Sequence, residues 1–269
     1  METENVYLKP ITLKNIMKFA LPTIAMSLFM AFYTMVDGLF VSNLIGTNTL
    51  SAINLSAPII SLVTAISTML ATALVTGITT LMFNWTMLRY VGENGIAAIT
   101  IIMYVLMFVS SLFSGYSYGV APMISYYYGE QNHEKLKKLI RKSLKIIAVI
   151  SVLSLAASLI ITKPLVSIFA RPDNPVFELA VTGNRICSIA LLFIGFNIFS
   201  SGMFTALNNG IVSAILAFSR SLVFMVICLL ALPLFFGVTG IWLATPAAEL
   251  MAIALACFMF LKYKNKYKF

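Results

Sequence analysis

Of the 269 residues, 60 % are hydrophobic and 10 % are charged. A soluble domain carries about 25 % charged residues, so a water-soluble globular fold is excluded and length counts membrane spans rather than domains. The net charge of +9 points to no nucleic-acid partner: the basic residues gather at Lys9, Lys14 and Lys18, at Lys135 to Lys145 and at Lys262 to Lys268, between long apolar runs, as in the cytoplasmic loops of a multispan protein.

The first predicted span covers about 17–44 and ends at Gly46-Thr47-Asn48. Its apolar run exceeds the ~7–15 residues of a signal-peptide core and has no small-x-small cleavage site, so no cleaved leader is expected. Between Asp37 and Arg89 no residue is charged, and the stretch 49–91 closes only at Gly92-Glu93-Asn94-Gly95. Further spans are predicted at about 96–122, 146–169, 177–205, 212–236 and 241–261. They are separated by a polar, basic loop from Gly129 to Lys145, by Arg171-Pro172-Asp173-Asn174-Pro175, by Asn208-Asn209-Gly210 and by a Gly237-to-Gly240 turn, and a basic tail follows.

Charge parity decides how 49–91 is read. The N-terminus, the 129–145 loop and the tail are all basic and belong on the cytoplasmic side, so an even number of spans must separate each pair. Four spans lie between 145 and the tail. Only three runs precede 129, so parity requires 49–91 to cross twice, with about 20 residues per crossing and a turn near Thr68 to Gly77. A single long, bent helix is the other reading of 49–91. The segments Gly46–Ile53 and Gly92–Ile99 share glycine, asparagine, an aliphatic residue, a small residue, alanine and isoleucine in order, as an internal repeat would, and secondary transporters are commonly built from repeats. The predicted fold class is all-α: a polytopic membrane protein of about eight transmembrane helices.

Ionisable groups inside spans are costly, about 2.5 kcal/mol or more at mid-helix. Asp37 lies about 10 Å from the outer end of the first span at ~1.5 Å per residue. A carboxylic acid in low dielectric titrates nearer neutrality, so Asp37 is the candidate proton or cation site, with Tyr33, Thr34 and Asn43 nearby and Gly38 opening room beside it. An interfacial acid that only sees water is the bland reading. Glu249 in the last span lies at the depth of Arg185 and near that of Arg220, where either an interhelical ion pair or a transport role would fit. Asn54, Asn84, Asn197 and Ser201 could line a cavity or bond between helices. Met30, Tyr33, Met35, Trp85, Tyr104, Met107, Tyr116 and Tyr118 supply groups suited to an adaptable pocket for lipophilic cations, although most such residues at helical spacing are core or lipid-facing. Cys187, Cys228 and Cys257 lie in apolar runs without ligand spacing and read as small core hydrophobes. His133, the only histidine, has no second histidine at metal spacing. No motif for enzyme chemistry stands out, and neither a metal nor a cofactor is expected.

Four blocks carry a resemblance: Ala20-Leu-Pro22; Met35-Val-Asp-Gly-Leu-Phe-Val41; Gly115-Tyr-Ser-Tyr-Gly-Val-Ala-Pro122 through Tyr128-Gly-Glu130; and Gly240-Ile-Trp-Leu-Ala-Thr-Pro-Ala-Ala-Glu249. The sequence resembles the multidrug and toxic compound extrusion (MATE) family, in particular its bacterial MepA-type branch. The resemblance implies efflux of cationic, lipophilic, drug-like compounds in exchange for H⁺ or Na⁺, from a multi-pass protein of the bacterial inner or plasma membrane with both termini cytoplasmic. It maps the family's first-helix coupling acid onto Asp37, and makes Tyr33, Asn54, Asn84, Tyr104, Tyr118, Asn197 and Glu249 the substrate-cavity candidates. No acid stands in the third span and only Glu178, at the very edge, in the sixth; some members carry coupling carboxylates in these spans. Up to about Ala71 the chain resembles family helices one and two, and from about Leu74 helices seven to twelve. That implies a partial N-lobe at 1–72 and a near-complete six-helix C-lobe at 73–269, as an internal deletion would leave. Two further readings follow: a non-transporting remnant that self-associates or pairs with a full-length homologue, and a lipid-linked saccharide flippase, for which Arg185 and Arg220 are the buried-arginine candidates.

Overall fold

A computed structural model describes residues 10–44 and 70–268. All of their regular structure is helical. Helix α1 is Leu13–Leu44, α2 Leu70–Tyr90, α3 Glu93–Gly129 and α4 His133–Phe169. Helix α5, Pro175–Cys187, continues through a single 3₁₀ turn into α6, Leu191–Ala206. Helix α7, Gly210–Phe218, passes through a π-helical stretch, Ser219–Phe224, into α8, Met225–Tyr267. Gly237 interrupts α8 with φ 55° and ψ −133°. The chain doubles back there: a Cβ on Gly240 would lie 2.3 Å from the carbonyl oxygen of Leu232. The turn expected at Gly237 is therefore present, at a residue whose missing side chain permits positive φ.

Among the described residues, five helical units are long and apolar enough to cross a membrane: Leu13–Leu44, Glu93–Gly129, His133–Phe169, Pro175–Ala206 and Gly210–Tyr267. The protein is an all-α, multi-pass membrane protein. Helix α1 lies antiparallel to α3, since Ala20 meets Gly119 and Gly38 meets Tyr104, the sense that parity requires. The first of the two crossings expected in 49–91, the start of its turn, the Gly46 repeat and Asn54 lie outside the described residues; the remainder of the expected Thr68-to-Gly77 turn is instead helix, since α2 runs from Leu70. The lobe boundary expected at 72/73 falls in the first turns of α2.

Asparagines set the turns. Asn132 accepts from the Lys135 amide at 3.1 Å and Asn174 from the Val176 amide at 2.9 Å, the latter just before Pro175 in the first turn; both satisfy amides that a helix start leaves unpaired. This corrects one expectation. The basic segment 129–145 is not a loop, because α4 begins at His133 directly after the Asn132 cap. Leu136, Leu139, Ile140 and Ser143 are buried, while Lys138, Arg141 and Lys145 are exposed. A polar run with a helical apolar period remains a helix when one face can pack. Helix α3 likewise runs past Pro122 to Gly129.

The basic clusters converge on one end of the bundle. Lys142 donates to the carbonyl of Ile11, Tyr128 packs edge-on against Tyr267 at 5.5 Å, and Asn209 donates to the Tyr267 hydroxyl at 2.9 Å. The start of α1, the α3–α4 turn, the α6–α7 turn and the end of α8 thus share that end. At the opposite end Asn43 donates to the carbonyl of Ile168 at 2.9 Å. One core cluster, around Tyr116, Tyr127, Leu136 and Phe204, lies toward the basic end. The other, around Phe83, Ile99, Phe177 and Trp242, lies toward the opposite one.

Candidate functional site

Helix α1 meets α3 so closely because α3 lacks side chains where they cross. A Cβ on Gly115 would stand 2.5 Å from Ile24 Cα, and one on Gly119 would stand 2.6 Å from Ala20 Cα. Two glycines four residues apart let membrane helices approach backbone to backbone. Further along, Gly38 of α1 lies against the Tyr104 ring, where a Cβ would come within 2.5 Å of Cε2. The space expected beside Asp37 is therefore occupied by Tyr104, which also stacks on Phe169 with centroids 5.9 Å apart and planes at 19°. Asp37 itself is exposed on the flank of this contact, within electrostatic reach of the Tyr104 phenol.

One turn from Asp37 toward the basic end, α1 and α3 border a groove of about 650 Å³. Met26, Met30 and Thr34 line it from α1, and Met107, Ser110, Ser111, Ser114 and Tyr118 from α3. Thr23, Thr34 and Ser111 donate their hydroxyl protons to carbonyls of their own helices, at 2.7, 3.3 and 2.7 Å. Their oxygens are then left with lone pairs, which suit a cation or a hydrogen-bond donor and repel an anion. Methionine sulfurs and the Tyr118 ring add polarizable and π surface.

The second acid has a different setting. Glu249 is buried; its Oε1 accepts from Arg220 Nε at 2.8 Å and its Oε2 from Asn197 Nδ2 at 2.6 Å. Asn197 Nδ2 also donates to the Glu249 carbonyl at 2.9 Å. Arg220 sits in the π-helical stretch, and the adjacent Ser221 carbonyl accepts from Thr79 of α2 at 2.9 Å. π-Helical turns widen a helix and release carbonyls from its ladder. Both carboxylate oxygens of Glu249 are thus engaged, so the carboxylate ties α6 and α8 to the span that precedes the Gly237 turn.

A model of the MatE family matches residues 77–230, more than half of the chain. The chain belongs to the MatE family. A relative, the multidrug export protein MepA of Staphylococcus haemolyticus (strain JCSC1435), is 27 % identical over 190 residues, covering 71 % of this chain and 41 % of the relative. Among solved structures, an inward-facing multidrug resistance MATE family transporter is 22 % identical with a TM-score of 0.67, covering 74 % of this chain and 45 % of that one. An outward-facing structure of a transporter so described gives 21 % and 0.68, covering 73 % and 44 %. The chain thus spans less than half the length of the relatives it matches.

In this MATE chain the expected cavity residues that are described lie in separate places. Asp37, Tyr104 and Tyr118 belong to the α1–α3 side, with Tyr33 one turn from Asp37 and 63 % exposed. Asn197 and Glu249 belong to the ion-pair cluster, and Asn84 is buried in α2. Arg185 is exposed and Arg220 is committed to Glu249, so the two arginines do not gather into a pocket. Of the cysteines, Cys187 and Cys228 are buried as expected, whereas Cys257 is exposed. Sequence reading overlooked the hydroxyl row Ser110, Ser111 and Ser114. Its signal was available: spacings of three and four place Ser110, Ser111 and Ser114 on adjoining turns of one helix face.

Proposed function

We propose that this chain acts in multidrug efflux: it binds cationic, lipophilic compounds and exchanges them for H⁺ or Na⁺. The carrying observation is the juxtaposition of an exposed intramembrane carboxylate, Asp37, with a groove of methionine, tyrosine and lone-pair-bearing hydroxyls one turn away. The groove favours flat apolar cations through sulfur and π contacts. Asp37 supplies the single negative charge for which a proton or Na⁺ competes with the substrate. Membership of the family and the MepA relative's role as an export protein support the reading. No cofactor and no bond-making chemistry enter it. The division into a partial first lobe (1–72) and a second lobe (73–269), a location in the cell membrane, and cytoplasmic termini at the basic end are parts of the same proposal.

Expression in an efflux-deficient bacterium is expected to lower ethidium accumulation, with Asp37→Asn abolishing the effect. Accumulation equal to the empty vector for the unmodified chain overturns autonomous transport. A second reading is then favoured by α1: it packs on one face and leaves Met26, Phe29, Phe32 and Phe40 between 51 and 71 % exposed. In that reading the chain pairs through α1 with a full-length homologue or a second copy, and co-purification without efflux supports it.

A further inference from the structure

We propose that the exposed face of α4 is a binding site for an anionic phospholipid, with the phosphate on Lys138, Arg141 and Lys145 and the acyl chains along Val149, Val152 and Ala156. The basic residues of α4 line a hollow of about 800 Å³ at the basic end of the bundle, with Glu134 the one acid among its lining residues. Two of the cations have other roles: Lys135 lies over the Tyr127 ring at 5.6 Å, and Lys142 donates to the Ile11 carbonyl. Lys138, Arg141 and Lys145 are exposed and form no ion pair among the described residues. They succeed one another at spacings of three and four, so their heads follow one stripe over about 10 Å of helix. A phosphodiester takes charge-assisted hydrogen bonds from such a set, with the guanidinium able to engage two oxygens.

What selects a lipid over a soluble phosphate is the continuation of that stripe. From Lys145 the same spacing leads to Val149 and Val152, each 59 % exposed, and to exposed Ala156. The stripe changes from cationic to apolar within one turn, as a lipid changes from headgroup to chain, and a water-soluble anion has no use for the apolar half. Polybasic segments at the edge of a membrane span attract anionic lipids by about 1 kcal/mol, or about fivefold, per basic residue. The inference rests on the membrane fold alone and is independent of the transport reading.

The test uses the full chain in nanodiscs of equimolar phosphatidylglycerol and phosphatidylcholine, with retained lipid counted by native mass spectrometry. The unmodified protein is expected to retain phosphatidylglycerol in excess. K138Q/R141Q/K145Q is expected to lower that preference about a hundredfold, three times the fivefold factor per residue on a logarithmic scale. K262Q/K264Q/K268Q, which removes as much charge from the same end, is expected to keep it. Equal loss in both triple variants, or none in the first, overturns the site. Millimolar glycerophosphoglycerol is expected to displace nothing; full displacement reassigns the site to soluble phosphate esters. Should the first variant fail to fold, K138R/R141K/K145R must retain the preference, and raising salt must weaken it in the unmodified protein. Salt-independence overturns the proposal.

Discussion

Asp37 and Glu249 are both carboxylates in apolar spans, yet they sit in opposite settings. Glu249 is buried, with both oxygens occupied by Arg220 and Asn197. Asp37 is exposed beside a groove, with no ion pair among the described residues. A carboxylate whose partners hold it from both sides is a tie between helices. One left exposed remains able to exchange ligands. A carboxylate is thus tied down at one place and left exposed at the other, and packing makes the difference.

Removing the tie should produce the largest effect. Glu249→Leu leaves Arg220 without its carboxylate and is expected to cost about 3–5 kcal/mol, the usual range for breaking a buried pair, read from unfolding in detergent. Arg220→Met in the same chain should recover most of that loss; additive losses would mean that the pair is not a unit. Next, Gly119→Leu drives a side chain into the Ala20 backbone and should cost about 1–3 kcal/mol, with α1 becoming more accessible to protease. Gly38→Ala is milder, about 1 kcal/mol, because the obstacle is the Tyr104 side chain rather than backbone. Tyr104→Ala in combination should remove that penalty, and a persistent penalty would place the strain elsewhere. Smallest in stability is Asp37→Asn, within about 0.5 kcal/mol as for an exposed side chain. A loss there as large as that of Glu249→Leu would show that Asp37 too is a structural tie and would erase the contrast.

Much of this was legible along the chain. The asparagine and glycine turns near 174, 209 and 237 stand where expected, because caps and positive φ are local properties of those residues. The convergence of the basic clusters on one end follows from the charge bias of membrane-protein loops. Two expectations differ from the structure for a shared reason. Charge alone makes 129–145 a loop, although Leu136, Leu139 and Ile140 give it a helical period. Gly38 in the sequence implies open space, although a helix glycine is as readily a seat for a neighbouring ring, here Tyr104. In both cases the outcome depended on what packed against the residue.

By itself the sequence determined the class of the protein, its helical runs and the end at which its charges gather, because hydropathy, caps and charge bias act through the local chain and the bilayer. Only the tertiary structure decided that Arg220 rather than Arg185 would meet Glu249, and that Asp37 would stay exposed beside a hydroxyl-lined groove. Depth in the membrane can be counted along a helix, but rotation about its axis is set by the neighbours it packs against.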